Sequence, residues 1–516
     1  MAAEQTQITG SKTLITVATM LAALMSVLDI SIVNVALSDI RASLGTPLDQ
    51  IAWVSTGYAM ANITIIPLSG WLQRRIGFKK YYAGSIVLFT IASVLCALSW
   101  NLPSLVVFRV IQGIGGGAII PTSQNILFSR YPKEEHGMAG ALFALGAITA
   151  PLLGPTLGGY LIELASWHWI FLINVPVGLL AAALAYRNIE EPGFVPSRAP
   201  IDIQGISLLA AGMVSLQYVL EEGNRDGWLD PRIAFLTAVA VVCLTTFVVH
   251  ELETEHPVVD LSLFKDVTYT AATALNFLIG TALFAGSFLF SLYCGTIMHY
   301  QAIDIGLIFL KGSWIQILIM PLVGKLIGRV DSRLMIALGI GGICWSLWMN
   351  SNLTMQADTH ALILPIFTRA CFLGLCFVPL QVVALSGLSP EKRGSGAGLF
   401  NLTRELGGSI GLAWMSTQLS NTTCQYASDL TRHVDVYSQA TMDALEGMQH
   451  GLGARLYDGA QGALQLLGLR IQQQALMRAF NQCFLTLALF FAGALLLVLL
   501  LKPADPTIKV SEASAH

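Results

Sequence analysis

The sequence predicts an all-α integral membrane protein: fourteen transmembrane helices, arranged as two six-helix halves with two further helices inserted between them. Three observations carry that prediction. Only 11% of the 516 residues are charged and 54% are hydrophobic, whereas soluble domains carry roughly 25% charged residues. Apolar runs long enough to span a bilayer, about 20 residues each, recur along the chain between polar breaks. Finally, two segments of the first half return in the second at nearly the same offset.

The elements follow in order. Residues 1–13 are a polar tail with Lys12, expected in the cytoplasm. The next run, 14–38, is too long for the apolar core of a signal peptide and shows no small-residue cleavage site, so it is read as a retained first helix. Further runs lie near 50–73, 79–99, 103–125, 136–164 and 168–187 and complete an N-terminal six-helix half, 14–187. The run 136–164 is long enough to tilt or to extend past the membrane. Residues 188–268 hold two inserted helices, 202–220 and 231–252, with their linkers. The C-terminal half, 269–501, contains runs at 269–296, 303–327, 332–350, 359–384, 394–418 and 477–501. Its long outer loop, 419–476, is polar early and ends in "GALQLLGLRIQQQALM", the pattern of an amphipathic helix leading into the last span. Residues 502–516 are a second tail.

Orientation follows from the Lys and Arg of the short connections. Placing the N-terminus inside puts Arg74, Arg75, Lys79, Lys80, Arg130, Lys133, Arg329, Arg333, Lys392 and Arg393 on the cytoplasmic side. Fewer cations then lie outside: Arg41, Arg225 and Arg232, with Arg432, Arg455, Arg470 and Arg478 in or beside one long loop. An even number of spans leaves both termini cytoplasmic. The chain is therefore expected as a multi-pass protein of the bacterial inner membrane. Trp100, Trp167, Trp169 and Trp228 fall at outer ends, where aromatic belts form.

"GWLQRRIGFKK" (Gly70–Lys80) is echoed by "GKLIGRVDSR" (Gly324–Arg333), and "YPKEEHGMAGALF" (Tyr131–Phe143) by "SPEKRGSGAGLF" (Ser389–Phe400). Parallel halves of this kind place a substrate site at their interface near mid-membrane. Of eight cysteines, all but Cys424 lie in or beside apolar runs and read as small hydrophobes. No disulfide framework, metal cluster or cofactor is suggested. Neither a nucleophile–base arrangement nor a phosphate loop is present, so an enzyme is not expected.

Four segments carry chemistry. Gly70–Lys80 joins a small residue at a helix end (Gly70), a cationic pair (Arg74, Arg75) and a tight turn at Gly77; it fits a cytoplasmic latch or a simple positive-inside anchor. "FRVIQGIGGGAIIP" places Arg109 about 9 Å into its span by helical rise, before glycines that permit close helix contact; alternatively the Arg snorkels to the interface. "GAITAPLLGPTLGG" builds a ridge of Gly146, Ala150, Gly154 and Gly158, with Pro155 removing a backbone bond beside it and Gly159 closing the motif. "LMSVLDISIVNVALSDI" sets a carboxylate, Asp29, and then Asn34 in an apolar run, and an intramembrane acid is by default functional. Asp29 lies about 22 Å from the inner end of its span, so Asp29 and Arg109 share the outer half. Burial raises a carboxyl's proton affinity and a cation lowers it, so such a pair can switch on protonation.

Together these segments resemble the major facilitator superfamily, in its fourteen-helix drug:proton antiporter branch. Gly70–Lys80 resembles its signature loop, Arg109 with its glycines the proton-associated motif, "GPTLGG" the antiporter motif, and "LDISIVNVAL" the first-helix motif of the branch. "NVPVG" (Asn174–Gly178), "VDLSLFK" (Val259–Lys265) and the long outer loop resemble the EmrB-type exporters. The resemblance implies the major facilitator fold and proton-coupled multidrug efflux by alternating access, with Asp29 and Arg109 in proton coupling. It also implies two partners, a periplasmic adaptor (membrane fusion) protein and an outer-membrane channel. No nucleic-acid partner is expected.

Further charge lies in the expected spans. Lys311, Arg369 and Arg404 join Arg109 against Asp29 and Glu405. Glu405 is a further candidate for proton coupling, and Asn34, Lys311, Trp314, Arg369 and Arg404 are candidates for contacting substrate. Trp314 stands one turn from Lys311 and could stack on a substrate ring. Arg404 and Glu405, about 100° apart on one helix, are expected to face different partners. An excess of interior cations suits an anionic or zwitterionic compound, such as a siderophore, better than a lipophilic cation. Structural roles for these cations remain open, as does a lipid-handling flippase on the same fold.

Overall fold

The computed structural model describes residues 10–501, apart from positions 47, 52, 133–134, 193, 197–199, 201, 256 and 328 and most of 433–458. The first part of the chain forms α1 (Lys12–Leu44), α2 (Leu48–Ile51), α3 (Trp53–Ile76), α4 (Phe78–Ala97), α5 (Leu102–Arg130) and α6 (His136–Leu164), then α7 (Trp169–Leu172) and α8 (Asn174–Asn188). Two long helices follow, α9 (Ile203–Asp226) and α10 (Pro231–Glu253). After a 3-10 turn at Leu261–Lys265 come α11 (Val267–Thr296), α12 (Ala302–Ser313), α13 (Gln316–Leu326), α14 (Ser332–Asn350), α15 (Thr359–Ser386), α16 (Pro390–Arg432) and α17 (Gly459–Val498).

The few acids of the connections start these helices. Asp202, Asp230, Asp266, Asp331 and Asp358 each accept a hydrogen bond from a backbone N–H of the following first turn, at 2.8–2.9 Å. A carboxylate there satisfies an orphan donor and meets the positive end of the helix dipole. Asn101 and Ser104 do the same for α5 as a reciprocal box.

Each of the fourteen expected runs falls on a helix or on a helix broken once, and among the described residues eleven of these are long and apolar enough to cross a membrane. The breaks fall within α7–α8 and α12–α13. The remaining three runs are α3, α6 and α16. α3 and α16 bear polar residues on the faces that meet each other, and in α6 the apolar stretch that qualifies is His136–Ala147.

Helix contacts form two bundles. In the first, α1 packs on α5, α6 and α8, and α3 and α4 pack on α5; in the second, α11 packs on α16, and α14 on α15 and α17. The bundles meet where α3 and α5 touch α16 and where α6 touches α12, α13 and α15. The inserted pair packs on itself, and α9 also reaches α3 and α16. Sides are called inner and outer here according to the positive-inside expectation.

α16 has 43 residues and α17 has 40, about 60 Å each at helical rise. Both therefore project beyond a hydrocarbon layer of about 30 Å. The early part of the stretch expected as outer loop is a continuation of α16 to Arg432, and Tyr426 there donates to Gln482 of α17 at 2.6 Å.

Candidate functional site

Asp29 and Arg109 meet inside the first bundle. Arg109 Nη1 donates to Asp29 Oδ2 at 2.5 Å, and both side chains are at most 1% exposed. The other carboxylate oxygen, Oδ1, accepts from Gln112 Nε2 at 2.9 Å and from Asn174 Nδ2 at 2.8 Å. Arg109 also donates to Gln112 Oε1 at 2.8 Å and, through Nε, to the Val54 carbonyl at 3.0 Å. Its guanidinium carbon lies 4.3 Å from the centre of the Tyr58 ring. Ser93 accepts from Gln112 and Asn174 and donates to the Phe171 carbonyl at 2.9 Å, which ties α4 and α7 to the cluster. A buried charge is tolerable only when paired and bonded in this way.

The local sequence explains how six helices reach one point. Gly113, Gly116 and Gly117 let α5 lie on α3: a Cβ at Gly113 would stand 2.5 Å from the Tyr58 carbonyl oxygen, and one at Gly117 2.5 Å from that of Asn62. Gly115 does the same against α4, where Phe89 N would be 2.8 Å away. Against α1, a Cβ at Gly154 would stand 2.2 Å from Ser31 Oγ, two residues from Asp29; Gly158 faces Ile32, and Gly159 faces open space. The side chain of Pro155 lies outside the described residues, as does that of Asn34.

The signature loop sits on the inner seam between the bundles. A Cβ at Gly70 would stand 2.5 Å from Ser395 N of α16, and Arg74 donates to Ser395 Oγ at 2.8 Å. Arg75 lies over Trp71 at 5.6 Å. Gly77 has φ 90°, a left-handed value that suits glycine, and Glu191 caps the following helix by accepting from the Phe78 and Lys79 amides. Around this point, Arg393 of α16 donates to the Phe128 carbonyl of α5 at 3.0 Å, Asn401 donates to Gln124 at 2.5 Å, and Asn125 donates to Gln73 at 2.6 Å. Burial pushes the Arg74 and Arg393 guanidinium groups below their ordinary range. Gly137 of α6 and Gly324 of α13 also touch, each closer to the other's helix than a side chain would allow. All of these contacts lie on the inner side.

In the second bundle, Arg404 is buried and Glu405 half-buried, and Arg404 Nη2 donates to Glu405 Oε1 at 3.2 Å. The expectation that adjacent positions face different partners fails here, because a long guanidinium arm can swing back along its own helix. Arg404 also lies 5.7 Å from the Phe377 ring. Arg369 is half-buried, donates to Ser287 at 3.2 Å and stands 5.9 Å from the Phe309 ring. Lys311 and Trp314 are exposed on the face that also carries Leu307, Ile317 and Leu318.

The structure thus brings Asp29 and Arg109 together, and Arg404 with Glu405, but joins neither Lys311 nor Arg369 to either pair. Reasoning from the sequence missed Gln112, Asn174, Ser93 and Tyr58. Gln112 had a signal, standing three residues after Arg109 on the same helical face. Asn174 lay in a quoted motif without an assigned role. No spacing pointed to Ser93.

The family model described as Major Facilitator Superfamily matches residues 19–412. The chain is 34% identical over 504 residues to the Multidrug export protein EmrB of Escherichia coli (strain K12), with 97% of each chain covered. It is 32% identical over 488 residues to the Fatty acid resistance protein FarB of Neisseria gonorrhoeae, covering 94% of each. In fold it is similar to the human organic anion transporter MFSD10, with TM-score 0.61, 12% identity, and 95% of this chain and 99% of that one covered.

Proposed function

The chain belongs to the major facilitator superfamily, and from that premise we infer that it is a multi-pass transporter that expels amphipathic organic compounds in exchange for protons. The observation that carries the reading is the sealed Asp29–Arg109 pair with its two amide donors. An acid held this way can take up a proton only if the cluster loosens, so protonation and helix rearrangement are tied together. Relatives named for multidrug export support the same reading.

The inner seam supports alternating access. With Gly70 against Ser395 and Gly137 against Gly324, the two bundles are closed on the inner side. A compound taken from the cytoplasm needs that seam to open, and one released outside needs it shut. The cytoplasmic termini, the inner-membrane location and a periplasmic adaptor with an outer-membrane channel are parts of this proposal. The projecting ends of α16 and α17 offer a surface for such an adaptor.

A second reading concerns the substrate's charge. Arg369 bonds to the neutral Ser287 beside the Phe309 ring, an arrangement suited to a compound with a carboxylate and an apolar body. A relative named for fatty acid resistance favours it.

The test is proton movement in proteoliposomes carrying a trapped pH dye under an imposed gradient. Lipophilic cations go to one set and amphipathic carboxylates to another, with Asp29→Asn as control. Substrate-dependent alkalinisation of an acidic lumen, lost in Asp29→Asn, supports the proposal. Unchanged proton movement in Asp29→Asn would sink it. A response to carboxylates alone, lost in Arg369→Gln, selects the second reading.

A further inference from the structure

α9 of the inserted pair carries a carboxylate that nothing above employs. Glu221 is half-buried where α9 packs on α3 near their outer ends. Its oxygens accept from Thr56 Oγ1 of α3 and, at 2.6 Å, from Gln217 Nε2 one turn earlier. Next to it, Trp53 of α3 and Tyr218 of α9 pack with ring centroids 5.5 Å apart. The facing residues Trp53 and Thr56 of α3, and Ser416 and Thr417 of α16, are all uncharged. Nearby charges are Glu222, paired with Arg225 at 2.6 Å, and Asp226, also on Arg225 at 3.1 Å, with Asp230 and Arg232 at the start of α10. Glu221 therefore draws its hydrogen bonds from neutral groups, in contrast to Asp29.

Two connections give this acid reach. Thr56 is two residues from Val54, whose carbonyl accepts from Arg109 Nε at 3.0 Å. The first turn of α3 thus holds Glu221 through one residue and the Asp29–Arg109 pair through another. On its far side, α9 reaches the other bundle: Asn224 donates to Ser416 at 2.9 Å and Trp228 Nε1 to Thr417 at 3.1 Å. α9 is consequently bonded to both bundles at the outer end, where the bundles must move relative to one another if the inner seam is to open.

We propose that Glu221 is a second proton-accepting group, carried by the inserted helix, that governs the outer end of α3 and thereby positions Arg109 against Asp29. The proposal rests on the reading of the chain as a proton-coupled exporter. As a carboxylate, Glu221 can only accept, and Thr56 donates to it. One proton from the outer water converts it to a neutral acid with a donor of its own and weaker remaining acceptors, so the two bonds it accepts from Thr56 and Gln217 weaken and the one at the protonated oxygen can reverse. That change is delivered to α3 two residues from the Arg109 contact. Glu221 is a positioning residue, since it acts through α3.

The experiment measures the outer mouth directly. Spin labels at Ser43→Cys and Thr354→Cys, in a Cys424→Ser background of the full chain, report the distance between the bundles as pH is varied. Glu221→Gln mimics the protonated acid, and Thr56→Val removes the α3 donor while keeping the acid. The expected result is a pH-dependent distance whose midpoint moves by about one unit or more or vanishes in Glu221→Gln, and moves in Thr56→Val. An unchanged curve in both Glu221→Gln and Thr56→Val would overturn the proposal. Should Glu221→Gln not accumulate, Thr56→Val decides alone. Absence of proton-driven transport in the native protein would refute the exporter reading and leave the distance measurement to judge Glu221 independently.

Discussion

Arg109 Nη1 and Asp29 Oδ2 are 2.5 Å apart in a pocket that water does not reach, with Gln112 and Asn174 completing the carboxylate's shell. Among the described residues neither charge has another counterion in the cluster. Removing the cation alone leaves a buried carboxylate unpaired, which costs about 3–5 kcal/mol. Arg109→Ala is expected to lose that much stability in detergent, measured by thermal unfolding, and the double variant Arg109→Ala/Asp29→Ala is expected to recover most of it. Equal losses in the single and double variants would contradict the pairing.

Asn174 belongs to α8, yet it donates both to Asp29 and to Ser93 of α4. Asn174→Ala strips one bond from a buried carboxylate, at a cost of about 1–3 kcal/mol. Proton-driven efflux is expected to fall while the protein still folds. Proteoliposome transport scored beside a melting curve separates the two effects.

The inner seam closes because Gly70 presents no side chain to Ser395. Gly70→Val is expected to hold the seam apart and favour the inward-open state. A cysteine placed at Ser395 should react faster with a membrane-impermeant thiol reagent from the inner side in that variant. Equal reaction rates would remove Gly70 from the gate.

Gly154 and Ser31 are locked at the crossing of α6 and α1, where a Cβ would fall 2.2 Å from Ser31 Oγ. Gly154→Ala is expected to destabilise by about 1–3 kcal/mol. Because the obstruction is the Ser31 side chain, Ser31→Gly should restore part of that loss. Additive losses in the double variant would place the clash elsewhere.

Asp260, in the connection before α11, pairs with Lys392 at the start of α16, 3.2 Å away. Burial pushes the Asp260 carboxyl up, but bonds from Ser262 and Lys392 outweigh it and hold it below the ordinary carboxylate range. Its contribution is therefore present at neutral pH and lost as pH falls through that lowered value. With Lys392 49% exposed, the pair contributes no more than about 1 kcal/mol. Asp260→Asn should lower the melting temperature slightly at pH 7 and converge with the native protein in strong acid.

The sequence alone determined that this chain lives in a membrane, where its apolar helices lie, that two of its segments recur at nearly the same offset, and that Asp29 and Arg109 stand out. Hydrocarbon imposes these patterns locally: a span must be apolar along its whole length, and a charge within it is visible as an exception. Only the tertiary structure decided what each exception touches. Gln112, Asn174 and Ser93 read as ordinary polar residues until helix packing converges them on one carboxylate. Glu221 reads as the ragged end of an inserted helix until α3 lies beside it. Arg404 and Glu405 turned to each other because side-chain reach, unlike helical angle, is not written in spacing. Partners across helices are set by packing faces and by glycine contacts between residues tens or hundreds of positions apart, and no local pattern encodes those.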